Sequence, residues 1–168
     1  MTHSLRLLGL ASILLPVIAG CVIGAVNTRD EFVAAMKTGG PFKNTEQVTV
    51  NRPVKTVVAD VTEYANKCLS VRVTRAPSYQ YKEAGGSTTY LPKIEKTRDG
   101  ATALSVQEKY NDREQAGAPP GGFFTLVAEI RAVGNSRTQV DLYHNARGKI
   151  ADPLKRWIAG DKRLCPSF

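Results

Sequence analysis

The segment NRPVKTVVADVTEYANKC, residues 51–68, carries the clearest helical repeat of the chain. Its apolar residues recur three and four positions apart, which places them along one side of a helix. These residues are Val54, Val57, Val58, Val61, Tyr64, Ala65 and Cys68. Because valine is a mediocre helix former, burial of that side must supply much of the helix's stability. We therefore predict a long helix that begins at Asn51, has Pro53 in its first turn and packs against a larger element.

Short segments of strand character lie on both sides of this helix. They are Gln47–Val50 before it and Leu69–Thr74, Ser78–Lys82, Thr88–Thr97, Ala101–Tyr110, Gly122–Val133 and Arg137–His144 after it. Several are separated by pairs typical of hairpin turns, namely Gly85-Gly86, Asp99-Gly100 and Gly134-Asn135. Consecutive strands joined by such turns predict an antiparallel sheet of about five to seven strands.

Two shorter helices complete the predicted domain. The first covers Arg29–Lys37, with Thr28 or Asn27 as its cap, and a loop follows over residues 39–44. The second covers Ala151–Asp161, with Asp152 as its cap and Pro153 at its first position. The fold class is therefore α+β. We expect a curved antiparallel sheet, covered on one face by the long helix and the C-terminal helix, in a single domain over residues 29–168.

The first twenty residues have a short cationic start and an apolar stretch that ends in small residues. The stretch is too short to span a bilayer comfortably and is typical of a secretory signal peptide. Its end, Ile18-Ala19-Gly20-Cys21, resembles the lipobox of bacterial lipoproteins. The resemblance implies removal of residues 1–20, acylation of Cys21 and a lipidated tether over residues 21–28. Two alternatives stay open: an ordinary signal peptide followed by a chance cysteine, and an uncleaved anchor helix.

The lipoprotein resemblance also implies a location. Val22 stands where an aspartate would resemble the inner-membrane retention signal, so we expect the outer membrane, with the domain facing the periplasm. The order of elements and the anchor together resemble the helix-grip domains in the C subunit of the outer-membrane β-barrel assembly machine, itself a lipoprotein. This resemblance implies a helix-grip-like fold and a role in envelope assembly.

Cysteine and histidine usage limits the chemistry of the mature chain. If Cys21 carries lipid, Cys68 and Cys165 remain as an even pair in an oxidising compartment, which predicts a disulfide; two separate buried thiols are the alternative. His144 is the only histidine left once His3 is removed. It lies three residues after Asp141 on the same strand, so the two side chains point to opposite faces. We expect a surface or edge histidine, no metal site, no cysteine nucleophile and no cofactor.

The chain has a formal charge of +8, and removal of Arg6 with the signal peptide leaves +7. Such a surface favours anionic envelope components or an acidic protein, and export makes nucleic acid an unsuitable partner. Cations concentrate in and around the C-terminal helix. This C-terminal basic cluster comprises Arg147, Lys149, Lys155, Arg156, Lys162 and Arg163. It is either the contact surface for such a partner or a solvated helix face.

Three classes of function remain. The first is a membrane-anchored, non-catalytic interaction or envelope-assembly module. The alternative is a small-molecule or lipid carrier with a cavity between sheet and helix, lined by Phe124, Leu126, Ala128 and Ile130. The third is an envelope hydrolase, which would need a pair of carboxylates. The candidates for that pair are Glu108, Asp112 and Glu114.

Overall fold

The computed structural model describes residues 26–77, 85–112, 117–145 and 149–168. Its helices are α1 (Arg29–Lys37), α2 (Val54–Tyr64) and α3 (Ala151–Ala159), and a π-helical turn, Ala65–Leu69, continues α2. Its strands are β1 (Lys43–Val50), β2 (Arg72–Arg75), β3 (Gly86–Lys96), β4 (Thr102–Tyr110), β5 (Phe123–Val133) and β6 (Arg137–Asn145). The predicted α+β class is confirmed. The predicted strand Ser78–Lys82 lies outside the described residues.

All six strands form one antiparallel sheet in the order β1-β6-β5-β4-β3-β2. The strands β1 and β2 follow each other in the chain but lie at opposite edges of the sheet. The intervening segment, α2 with its π-helical turn, therefore crosses the whole sheet. The strands from β2 to β6 then run back as a meander until β6 pairs with β1. The helix with the clearest sequence signal is thus the element that connects the two edges.

The helices α2 and α3 cover one face of the sheet, which we call the inner face. The apolar residues of α2 contact those of the central strands in a single core. The fully buried members with the largest side chains are Trp157, Tyr64, Leu69, Leu104, Leu126, Ile130, Leu142, Leu154 and Ile158. Burial of this stripe explains how a valine-rich segment is stable as a helix.

The two inner-face helices are joined by aromatic and polar contacts. The rings of Tyr64 and Trp157 lie 5.5 Å apart, and both side chains are fully buried. The Tyr64 hydroxyl donates to the carbonyl of Ile150 at 3.0 Å, and the Trp157 indole donates to the carbonyl of Leu164 at 2.7 Å. Each buried polar atom of these rings therefore has a partner. These contacts fix the position of the residue before α3 and the path of the segment that follows the helix.

The start of α2 differs from the prediction. The helix begins at Val54 rather than Asn51, because Pro53 has an extended backbone and serves as its N-cap. Outside the helix, Arg52 donates to the carbonyl of Ile158 at 2.7 Å and to the buried carboxylate of Asp60 at 2.5 Å. Lys162 contacts Asp60 at 2.5 Å from the other side. A cation at the C-terminal end of α3 also suits the helix dipole.

The start of α3 is a second difference. Asp152 and Pro153 lie inside the first turn, and Ile150 is the N-cap, with no side-chain hydrogen bond. The helix ends at Ala159, before the left-handed Gly160, rather than at Asp161. The prediction for α1 is confirmed, since Thr28 and Glu31 form a reciprocal capping box. The loop predicted over residues 39–44 ends earlier, because β1 already begins at Lys43.

The helix α1 packs on the opposite, outer face of the sheet, where Phe32 and Val33 contact Val127 and Tyr143. The sequence predicted Phe124 on the inner face, in a stripe with Leu126, Ala128 and Ile130, and for Phe124 this is wrong. Pairing of β4 with β5 shifts register between Val106 and Gln107, which leaves one extra residue in β5. Such a bulge reverses the alternation of side chains beyond it. The ring of Phe124 therefore lies 5.9 Å from that of Phe32.

The predicted disulfide is present. Cys68 in the π-helical turn is joined to Cys165, which follows α3, with 5.2 Å between the two Cα atoms. The bridge spans 97 residues. It ties the segment after α3 to the helix that crosses the sheet.

Loss of this bridge is expected to destabilise the domain strongly. In the chain-entropy view, a loop of this length contributes about 4 to 5 kcal/mol to the free energy of unfolding. The double variant Cys68→Ala, Cys165→Ala should lose an amount of that order in urea titrations. The unmodified protein should show a similar loss of stability once a reductant has cleaved its disulfide. Recovery of both cysteines as alkylated thiols from the non-reduced protein would contradict the bridge.

Candidate functional site

The inner face is not covered over its whole length. A pocket of about 250 Å³ lies where β2, β4 and β6 end, β3 and β5 begin, and α3 starts. Its lining side chains come from five strands, the start of α3 and the last residue, Phe168. They are Arg75, Thr88, Tyr90, Glu108, Tyr110, Thr125, Leu126, His144, Asn145, Lys149, Ile150, Ala151 and Phe168. We call this the inner-face pocket.

Strand register brings these residues together. Thr88 pairs with Tyr110 and Tyr90 pairs with Glu108, so the four side chains form two adjacent rungs of the same face. Farther along β4, the inner-face positions are Leu104 and Val106, which belong to the apolar core. The inner face is thus apolar beneath α2 and polar beyond the start of α3.

His144 is buried in the wall of the pocket, with 7% of its side chain exposed. It belongs to β6, between β1 and β5, so the expectation of a surface or edge histidine is wrong. Its Nε2 lies 2.8 Å from Glu46 Oε1 and its Nδ1 lies 2.8 Å from the carbonyl oxygen of Asn145. Both ring nitrogens therefore lie within hydrogen-bond distance of an oxygen atom. Asp141 points to the face opposite His144, as predicted, and contacts Arg131 there at 2.9 Å.

Glu46 connects His144 to α3. Its other oxygen accepts from Lys155 Nζ at 2.8 Å, and Lys155 also contacts Asp152 at 2.9 Å. The hydrogen bond from Lys155, followed by the one from His144, holds the pKa of Glu46 below its usual value. Glu46 therefore remains a carboxylate under mildly acidic conditions and fixes the orientation of the imidazole.

Two phenols and a carboxylate form the opposite wall of the pocket. The hydroxyl of Tyr110 lies 3.5 Å from Glu108 Oε2. Burial, assisted by the charge of Glu108 and opposed by that of Arg75, raises the pKa of Tyr90 to about 12. The Tyr90 hydroxyl thus keeps its proton near neutral pH. On its other side the ring of Tyr90 stacks on Phe168, with 4.3 Å between the ring centroids.

The C-terminal basic cluster is only partly available for a partner. Lys155 pairs with Glu46, Lys162 pairs with Asp60 and Glu63, and Arg163 pairs with Asp161. Within the described ranges Lys149 and Arg156 form no salt bridge, and Lys149 lies at the pocket. Arg147 lies outside the described residues. Use of this cluster as a contact surface stays a prediction.

The candidate carboxylates have different positions. Glu108 lines the pocket, whereas Asp112 accepts from the backbone N–H and the hydroxyl of Ser87 at the start of β3. These bonds, the backbone one first, hold the pKa of Asp112 below its usual value, which does not suit a general acid. Glu114 lies outside the described residues, as does Cys21.

Sequence reasoning missed most of the pocket. No motif surrounds Arg75 and Thr125, which line the pocket, or Glu46, which contacts His144 from outside the lining. The position of His144 within its strand does not reveal that it is buried. Across residues 26–77, 85–112, 117–145 and 149–168, no three His, Cys, Asp or Glu side chains group in a way that could hold a metal ion. None of the helices in those ranges has the length and apolar character to cross a membrane.

No protein-family model matches the chain, and no curated protein or solved structure matches it either.

Glu46 should make stability dependent on pH. Its pKa is lower in the folded state than the ordinary value of 4.5, so the unfolded chain takes up protons first as the pH falls. The stabilisation is complete above pH 4.5 and is lost as the pH falls through the lower, folded-state pKa. Glu46→Gln should therefore lower the urea midpoint of unfolding at neutral pH. The difference in midpoint between this variant and the unmodified protein should become smaller as the pH falls.

The matched control for this measurement is Glu63→Gln, which removes a more exposed carboxylate distant from His144. It should retain the steep loss of stability in acid. A difference between Glu46→Gln and the unmodified protein that stays constant over the whole acid range would show that Glu46 is not the titrating group.

Proposed function

We propose that this chain is a lipid-anchored protein of the outer membrane, facing the periplasm, which binds a small molecule in the inner-face pocket without catalysis. The observation that carries the binding role is the pocket itself, which groups charged, hydroxyl and aromatic side chains in about 250 Å³. Ligand sites are typically concave, with a few polar groups placed among apolar and aromatic ones. The proposal corresponds to the carrier alternative, with a polar rather than a lipid-like lining.

The fixed geometry of the pocket supports binding. Polar groups buried without partners are costly, so a fold retains them at one end of a core only where they are satisfied. His144 is held by Glu46 and the Asn145 carbonyl, and Asn145 donates to Thr125 at 3.0 Å. Side chains locked in this way present a preformed surface, which reduces the ordering cost of binding.

The same contacts support a non-catalytic role. His144 uses both ring nitrogens in structural contacts, and Cys68 and Cys165 are joined to each other. Asp112 is engaged by Ser87 and its pKa is lowered. An acid–base pair needs one group that readily gives up a proton and another that accepts it, and these contacts favour neither.

An interaction module for envelope assembly is the second candidate. It would use the C-terminal basic cluster, and the exposed, unbridged positions of Lys149 and Arg156 in the described part of the chain favour it. The ion pairs of Lys155, Lys162 and Arg163 leave a smaller cationic surface than the sequence indicated. For this reason we place small-molecule binding first.

Anchoring by lipid rests on the lipobox-like segment that ends at Cys21. Cells grown with labelled palmitate should yield a labelled protein, and Cys21→Ser should abolish the label because no other thiol follows a peptidase site. The variants Cys68→Ala and Cys165→Ala are the matched controls and should remain labelled. Equal labelling of Cys21→Ser would overturn the anchor.

Ligand binding is tested with the protein purified from membranes in detergent and exposed to a small-molecule extract of the cell envelope. Native mass spectrometry should detect a retained compound. Thr88→Trp would fill the pocket from β3 and should abolish retention, whereas Leu91→Trp adds the same indole on the exposed side of that strand and should not.

Circular dichroism and urea titration of both variants establish that they are folded. If Thr88→Trp does not fold, Thr125→Met provides a smaller obstruction of the same space. Equal retention by the Thr88 and Leu91 variants would place the ligand elsewhere and contradict the proposed function.

A further inference from the structure

We propose that the ligand of the inner-face pocket is a small anion that carries a flat ring, with a carboxylate or phosphate as its charged group. This inference rests on the proposed binding function and identifies the class of molecule that the pocket accepts. It draws on the charges at the rim of the pocket, on the hydrogen-bond donors of its walls, on its aromatic side and on its volume.

The charges at the rim favour an anion. Arg75, at the end of β2, and Lys149, just before α3, both line the pocket and are both exposed to solvent. In the part of the chain that the structure describes, neither has an ion-pair partner. Two exposed cations at one concave site, with no salt bridge among the described residues, attract a negative group and can bind it directly, Arg75 in the bidentate manner.

The start of α3 adds to this potential. Ile150 and Ala151 border the pocket, and the N-cap of the helix makes no side-chain hydrogen bond. The N-terminal end of a helix has a partial positive charge. The hydrogen bond from Tyr64 to the Ile150 carbonyl holds this helix end in place beside the pocket.

The one carboxylate in the lining does not cancel these charges. Glu108 pairs across the strands with Tyr90 and lies 3.5 Å from the Tyr110 hydroxyl. Its negative charge is therefore directed toward two phenols, which are neutral donors. The ligand faces a lining with two cations and one carboxylate, a net excess of positive charge.

The aromatic residues indicate the rest of the ligand. Tyr90, Tyr110 and Phe168 line the same side of the pocket, and Tyr90 and Phe168 already stack with 4.3 Å between centroids. Aromatic faces at this spacing favour a further flat ring in an offset arrangement. The volume of about 250 Å³ is below the range of about 300–1,000 Å³ typical of drug-sized ligands. A single ring with one anionic group is therefore the expected size.

Four probes that share a phenyl ring and differ in the small group attached to it test the proposal by calorimetry. They are benzoate, phenyl phosphate, benzyl alcohol and benzylamine, titrated into the full protein in detergent, with protein-free micelles as the blank. Benzoate or phenyl phosphate should bind at least about tenfold more tightly than the alcohol or the amine, as a charge-assisted contact to Arg75 requires. The tighter of the two anions identifies the charged group.

Substitution of individual cations shows which residue binds the anionic group. Arg75→Gln should weaken binding of the anionic probe about tenfold and leave binding of benzyl alcohol unchanged. Arg75→Lys should restore part of the lost affinity. Arg156→Gln removes a cation of the same type outside the pocket and should have no effect. Equal weakening by Arg75→Gln and Arg156→Gln would show a general effect of net charge and overturn the proposal.

The proposed ligand class and the proposed binding function would be contradicted by different results. If the envelope extract leaves a compound in the pocket and that compound is neutral or cationic, the anion proposal is wrong and the binding function stands. If benzylamine binds as tightly as benzoate, the anion proposal is again wrong. If neither the extract nor any probe binds in a manner sensitive to Thr88→Trp, the binding function itself is wrong.

Discussion

The packing of Tyr64 against Trp157 is the contact on which the rest of the inner face depends. Both rings are fully buried, and the Tyr64 hydroxyl holds the carbonyl just before α3. The helix α2 crosses from one edge of the sheet to the other, so this contact determines which part of the sheet α3 covers. It also determines which part stays open. Apolar strand positions lie beneath the helices, and the polar ones lie beyond the start of α3.

The open end of the inner face is maintained by contacts that reach outside it. His144 is oriented by Glu46, which is held in turn by Lys155 of α3. Phe168 reaches the opposite wall because the disulfide at Cys165 holds the last segment near α2. The helices α2 and α3, which cover the apolar core, therefore also help to hold the side chains of the pocket in place. A pocket built in this way combines fold stability with fixed side-chain positions.

The sequence predicted most of the secondary structure because the apolar periods are regular. The stripe in α2, the Thr28 cap of α1 and the turns at Asp99-Gly100 and Gly134-Asn135 all correspond to observed elements. The errors occur where a single local feature interrupts the period. One extra residue in β5 moves Phe124 to the outer face, and the extended backbone at Pro53 delays the start of α2. Neither feature changes composition or periodicity enough to be detected along the chain.

By itself, the sequence indicated the α+β class, the approximate positions of the helices, a disulfide between Cys68 and Cys165 and a lipid anchor at Cys21. Each depends on local pattern or on the small number of cysteines. Only the tertiary structure decided that His144 is buried against Glu46, that three of the basic side chains are already paired and that a polar pocket remains beside α3. These facts depend on strand register and helix placement, which join residues as far apart as Glu46 and Lys155. A pattern within one segment of the sequence does not show which distant residues will come into contact with it.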